Sequence, residues 1–323
     1  MNARPSLVVR DLCVEVRTRH GIGNAVDGAS FELRRGETLG LVGESGSGKS
    51  MTALAILGLQ PRPAATITGG EIIFEGEDLT KTSAAKLRSF RGRRIAMILQ
   101  DPMTALNPVF TIGKQIKEPL KLHQHLRGDQ LNFKAIETLR LLRIPSPDER
   151  LRSYPHQLSG GMRQRVVGAI ALSCAPEILI ADEPTTSLDV TIQAALLALL
   201  QDIQRMHQLG ILFITHDFAV VSRMCDRVAV MYAGRIVETA PARELFERPA
   251  HPYTEALMKS VPALDARTEH LPSIRGSPPS IYEKMPGCAF APRCPYVMQR
   301  CRQEAPPLTT VSESHEVRCW LRM

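Results

Sequence analysis

A glycine-rich turn between an apolar strand and an apolar helix constrains this chain more than any other feature. The run Gly43-Glu44-Ser45-Gly46-Ser47-Gly48-Lys49-Ser50 follows the apolar stretch 38–42 and leads through Met51 into the apolar stretch 51–59, the context that the G-x-x-x-x-G-K-[ST] pattern requires. Glycines let backbone N–H groups turn inward, and the helix N-terminus favours anionic charge. Lys49 can reach the β- and γ-phosphates of a nucleotide, and the Ser50 hydroxyl can ligate magnesium. A strand that feeds a helix through such a turn predicts an α/β fold on a mainly parallel sheet.

Two further strings carry chemistry. Glu177-Ile178-Leu179-Ile180-Ala181-Asp182-Glu183-Pro184 is an apolar run closed by Pro176 and Pro184 and reads as a fully buried parallel strand. Asp182 at its end is placed to hold magnesium through water, and Glu183 to polarise an attacking water as general base. The second string, Leu158-Ser159-Gly160-Gly161-Met162-Arg163-Gln164-Arg165, opens a helix whose N-terminus is another anion site. One nucleotide hardly needs two such sites from one chain. The expected arrangement is therefore a dimer in which Ser159, Gly160 and Gly161 clamp the γ-phosphate held by the partner.

With these strings the chain resembles an ATP-binding cassette, and the remaining motifs follow in that family's order. Gln100 closes the apolar stretch 95–99 and matches the glutamine that touches magnesium and water. Ser187-Leu188-Asp189 matches the loop that crosses the dimer interface, and His216, after the strand-like 211–215, matches the switch histidine at the γ-phosphate. The wording of the motifs, including Gln100-Asp101-Pro102-Met103-Thr104-Ala105-Leu106-Asn107-Pro108, Thr215-His216-Asp217-Phe218 and His251-Pro252-Tyr253-Thr254, is similar to the ATPases of dipeptide, oligopeptide and nickel importers over essentially the whole chain. The resemblance implies a RecA-like phosphate-loop core with an antiparallel β subdomain and a helical subdomain, ATP and Mg2+ as ligands, and a catalytic set of Glu183, His216 and Gln100. It also implies a second and related ATPase chain, two transmembrane permeases, an extracytoplasmic solute-binding protein, and a peripheral position on the cytoplasmic face of the bacterial inner membrane. Peptide is the cargo that the resemblance favours, while nickel, glutathione or another small solute would use an almost indistinguishable ATPase.

Two departures from the pattern stand out. Met162 replaces the glutamine usual in the signature, leaving the serine and glycines intact. Cassettes also stack adenine on an aromatic ring upstream of the phosphate loop, yet no Phe, Tyr or Trp precedes Phe31. Val16 takes that slot, with Arg17 or His20 left to cover the base. Weak base discrimination, with GTP competing against ATP, is the expectation.

Composition fits such an enzyme. The chain of 323 residues carries 40 Lys+Arg against 33 Asp+Glu, a formal charge of +7, which suits polyphosphate ligands and an anionic membrane surface without implying nucleic-acid binding. The basic run 86–94 reads as a solvated loop. There is no apolar run of about eighteen residues and no signal-peptide pattern, so membrane attachment is expected through partners. A soluble cassette of translation or DNA repair would carry tandem cassettes or a long coiled-coil insertion, and neither is present.

Periodicity places an antiparallel subdomain at residues 6–78 and helical patterns at 112–125 and 133–142. Strands and helices alternate again over 165–240, with 190–209 the longest helix. The expected domains are a nucleotide-binding domain at 1–250, with its helical subdomain at about 103–165, and a small proline-rich, Cys-rich extension at 251–323. Four of the seven cysteines, Cys288, Cys294, Cys301 and Cys319, fall in that extension with five, six and seventeen residues between neighbours. Clustered thiols in a reducing compartment suggest a metal site. The closely spaced cysteine knuckle of zinc ribbons is missing, whereas thiolates gathered from a loop suit a 4Fe-4S cluster. Around Gly287-Cys288-Ala289-Phe290-Ala291-Pro292-Arg293-Cys294-Pro295 the sequence resembles the cysteine pattern of dipeptide-type ATPases, for which such a cluster is implied. Zn2+ and unligated thiols remain the alternatives, with His315 a weak substitute ligand. Cys13, Cys174 and Cys225 are expected to be buried and inert.

Overall fold

The structure, a computed structural model, describes residues 5–186, 188–260, 274–283 and 285–323. The strands in chain order are β1 (Pro5–Thr18), β2 (Gly21–Arg34), β3 (Thr38–Val42), β4 (Ala65–Phe74), β5 (Glu77–Asp78), β6 (Ile95–Ile98), β7 (Ile178–Asp182), β8 (Gly210–Thr215), β9 (Arg227–Tyr232), β10 (Arg235–Pro241), β11 (Thr309–Ser312) and β12 (His315–Val317). The chain divides into two compact units. One comprises the described residues of 1–34, 38–81 and 213–323, the other those of 35–37 and 82–212.

In the first unit, β2-β1-β4-β5 form an antiparallel sheet, the subdomain expected from residues 6–78. β3 lies within that span but joins a different sheet, running parallel to β9 with Leu41 opposite Ala229. The reason is burial. All five residues of β3 are buried, and a strand covered on both faces suits a parallel sheet, whereas β1 and β2 mix buried and exposed positions. The phosphate-loop helix Lys49–Ile56 follows β3 directly.

Beyond β9 this sheet continues through β10 to β12 and β11. The proline-rich extension thus adds strands to the sheet, with Glu238 opposite Val317 and Thr239 opposite Glu316. An edge strand with unpaired backbone groups is a natural template for such addition. Glu238, wholly buried, organises the junction. Its carboxylate accepts the backbone N–H groups of Ala250 (2.6 Å) and His251 (2.9 Å), and its Oε1 lies 2.8 Å from Nε2 of His315. His315 also reaches Glu244 at 3.3 Å, so it is engaged by carboxylates and is not available as the substitute metal ligand considered above.

These two buried histidines predict opposite pH effects. The hydrogen bond to Glu238 holds the pKa of His315 above its ordinary 6.5; its contribution is complete below 6.5 and is lost as pH rises through the raised value. Burial pushes His251 down to about 4, so stability falls as pH drops from 6.5 toward 4, where the unfolded chain takes up a proton that the folded one refuses. Thermal unfolding followed against pH should therefore show a maximum near 6.5. In His315→Gln the decline on the alkaline side should flatten, and an unchanged profile in that variant would refute the assignment.

In the second unit, β6 and β7 pair in parallel, with Ile95 opposite Ile178. Helices Ile112–Gln124 and Gly128–Leu141 occupy the stretch expected to be helical. Ile112, Ile116 and Leu120 repeat at four-residue spacing on the buried face of the first. Val190–His207 is the longest helix among the described residues. The basic run 86–94 is not simply a loop. Ser83 caps a helix Ala84–Phe90 by accepting the N–H of Lys86, none of that helix is buried, and Arg94 pairs with Glu177 at 2.6 Å. Charge density alone hid the capping residue. No helix of the described residues is long and apolar enough to cross a membrane.

Candidate active site

In the first unit the phosphate loop closes around Lys49. Its ammonium donates to the carbonyls of Gly43 and Glu44, each at 2.8 Å, and to Ser47 Oγ at 3.3 Å, and the residue is 5% exposed. These acceptors fix the ammonium within the loop, where it can meet an anion. Gly43 and Gly48 are irreplaceable for steric reasons. At φ 157° and 106°, an added Cβ would come within 2.2 Å of the Met231 carbonyl and 2.4 Å of the Ala25 carbonyl. Ser45, Gly46 and Ser50 are exposed, Met51 is half-buried on the helix, and Ser47 accepts the N–H of Gly234 at 2.9 Å. His216 is exposed after β8, and Asp217 caps the next helix through the N–H groups of Ala219 and Val220.

In the second unit, Gln100 Nε2 donates to Glu183 Oε2 at 2.9 Å, and Thr186 Oγ1 donates to the same oxygen at 3.0 Å. Glu183 sits at φ 46°, a left-handed conformation that costs about 1–3 kcal/mol in a residue with a side chain. Asp182, at the end of β7, is 6% exposed. Ser159 caps the helix Gly160–Leu172 by accepting the N–H of Met162 at 3.4 Å.

The two signature glycines differ. A Cβ on Gly161 would meet Ile192 at 2.6 Å, whereas one on Gly160 would meet nothing within 4 Å, so Gly161 lets two helices approach and Gly160 faces open space. Asp189 caps the helix Val190–His207 through the N–H groups of Thr191 (3.1 Å) and Ile192 (3.0 Å). Ser187 lies outside the described residues.

Residues whose motif strings gave them no role of their own grip the phosphate loop from the extension in the first unit. Arg293 forms a two-pronged ion pair with Glu44, at 2.6 and 2.9 Å, and its side chain is 4% exposed. The Tyr253 hydroxyl accepts the Glu44 N–H at 2.8 Å. Tyr253 packs with Tyr232 and Phe290 at ring separations of 4.5 and 5.3 Å. No spacing rule could have paired Arg293 with a residue 249 positions away.

The four extension cysteines converge on one pocket, with Trp320 and Phe290 also in its wall. Cys301 and Cys319 are buried, Cys288 and Cys294 half-buried. Burial, with the neighbouring thiols adding to it, pushes the Cys288 thiol up to about 11. The four thiols share this pocket, but among the described residues no three His, Cys, Asp or Glu side chains are grouped as one metal ion would need. Cys174 and Cys225 are buried as expected, and burial raises both thiols. Cys13 is half-buried on β1.

Residues 26–186 match the family described as ABC transporter, and residues 237–301 the one described as Oligopeptide/dipeptide transporter, C-terminal region. The probable peptide ABC transporter ATP-binding protein y4tR of Sinorhizobium fredii is 50% identical over 315 residues, covering 97% of this chain and 94% of that one. The dipeptide transport ATP-binding protein DppD of Bacillus subtilis is 49% identical over 316 residues, covering 98% and 94%. Among solved structures, the ATP-binding cassette MJ0796 in its dimeric post-hydrolysis state with ADP and Pi superposes with a TM-score of 0.66 at 24% identity, over 73% of this chain and 99% of that one. CbiO1 from Clostridium perfringens gives 0.63 at 26% identity, over 76% and 91%.

Proposed function

This chain belongs to the ATP-binding proteins of ABC transporters, and from that premise we propose that it is the ATP-hydrolysing subunit of an importer for di- or oligopeptides. The observation that carries the reading is the Gln100–Glu183 hydrogen bond at the end of a buried acidic strand, in a chain whose phosphate loop already holds Lys49 within a ring of backbone groups. Lys49 and the loop N–H groups take the β- and γ-phosphates. Ser50, Asp182 and Gln100 would hold Mg2+, which would neutralise phosphate charge. Glu183 draws the proton from the attacking water, and Gln100 and Thr186 orient its carboxylate. His216 contacts the γ-phosphate. Ser159, Gly160, Gly161 and Asp189 act across a dimer on the nucleotide of a second cassette, a related chain. The open space over Gly160 supports that assignment.

Membrane attachment comes from two permease subunits at the cytoplasmic face, with an extracytoplasmic solute-binding protein delivering cargo. Mass spectrometry of proteins co-purified from gently solubilised native membranes tests this. Two multi-spanning permeases and a second cassette are expected, whereas ribosomal or DNA-bound proteins without a permease would overturn it.

The extension carries a 4Fe-4S cluster on Cys288, Cys294, Cys301 and Cys319. Convergence of all four thiols on one pocket supports this. Bound there, it would staple an extension with little apolar core. Anaerobically purified protein should contain iron and acid-labile sulfide, both lost in Cys288→Ser. Wild-type protein free of both would remove the cluster.

A further inference from the structure

β1 carries no Phe, Tyr or Trp and the Phe31 ring of β2 is buried, but the extension brings a ring to this hairpin. A cleft of about 370 Å³ opens beside the phosphate loop, with Ser45, Gly46, Pro279 and Tyr282 among its lining residues. The segment carrying Tyr282 is docked on the hairpin. The Asn24 N–H donates to the Ile281 carbonyl at 2.9 Å, and the hydroxyls of Thr18 and Tyr282 lie 2.5 Å apart. Gly23 makes the fit possible, since a Cβ there would fall 2.7 Å from the Ile281 side chain and 2.8 Å from its carbonyl oxygen. Thr18 is two residues past Val16, the slot where a stacking ring was missing. His20 is edge-on to Tyr282, with ring centroids 6.4 Å apart and planes at 61°, and accepts a hydrogen bond from Arg19 at 3.2 Å. Tyr282 itself is only partly buried and lines the cleft.

We propose that Tyr282, supplied by the C-terminal extension, is the ring on which the nucleotide base stacks. The inference rests on the phosphate loop being the ATP site. Stacking on an aromatic face tolerates any base, so GTP should still compete with ATP, as expected from the hairpin alone. The extension thereby becomes part of the nucleotide site.

Isothermal titration of the full chain with Mg-ATP and with Mg-tripolyphosphate, which has no base, separates the possibilities. Tyr282→Leu should weaken ATP about 10-fold, on the scale of one base–aromatic stack, leave tripolyphosphate unchanged, and be rescued by Tyr282→Phe, which lacks the hydroxyl contact to Thr18. Unchanged ATP affinity in Tyr282→Leu, equal weakening of both ligands, or failure of Tyr282→Phe to rescue would each overturn the proposal. As a second readout, Tyr282→Trp should be quenched by ATP and not by tripolyphosphate; the absence of any difference would also count against it. Lys49→Ala tests the premise separately, since it should weaken both ligands. If Lys49→Ala left both intact, the ATP site itself would be misplaced, whatever Tyr282 does.

Discussion

Replacing Glu183 by Gln is expected to lower ATP turnover by about 10²–10⁴-fold, the range that general-base catalysis supplies, while ATP still binds. The amide keeps an oxygen that can accept from Gln100 and Thr186, which meet the carboxylate at 2.9 and 3.0 Å, so the strained backbone at φ 46° keeps its local supports. What disappears is the capacity to take a proton. Two cassettes should then remain closed on unhydrolysed ATP, visible as an ATP-dependent dimer on size exclusion with its partner cassette. Turnover in the variant at the wild-type rate would move the base elsewhere.

The second large effect concerns Glu44. Glu44→Ala should destabilise the unit that contains it by about 3 kcal/mol, the scale for leaving a buried charge without its counter-charge, because the Arg293 side chain is 4% exposed and meets both oxygens of the half-buried Glu44. Arg293 keeps the Arg275 carbonyl at 3.0 Å and the Tyr232 hydroxyl at 3.3 Å, which places the cost at the lower end of that scale. ATP affinity should fall as well, since Glu44 belongs to the loop that cradles phosphate. The double variant Glu44→Gln with Arg293→Met removes both charges and should recover most of the stability. Urea unfolding of the three variants decides the matter. Glu44→Ala within about 0.5 kcal/mol of wild type would mean that the pair is solvated and contributes little.

Both predictions start from residues legible in the chain, but to different extents. Glu183 could be named from its string because the pattern lies in consecutive residues: a buried apolar strand must end, and the two carboxylates at its end emerge together. The same holds for Lys49 within its glycine turn, for Ser159 as a helix cap, and for Asp189 before Val190–His207. In each case local backbone geometry ties the side chain to its task, and a local pattern records it. The helix at Ala84–Phe90 was missed because a dense run of charge masks the cap at Ser83 that starts it.

The sequence by itself therefore determined the α/β fold, the phosphate loop, the acidic strand and the signature helix, since strand periodicity, glycine turns and helix caps are properties of neighbouring residues. Tertiary structure alone decided which residues far apart in the chain would meet. It seated Arg293 on Glu44, ran β12 along β10 beside the buried carboxylate of Glu238, gathered four thiols at one pocket, and set Tyr282 against a hairpin whose own Phe31 is buried. These contacts arise because an extension with little apolar core of its own is stabilised by docking on the larger sheet, and docking is governed by complementary surfaces that no spacing along the chain encodes.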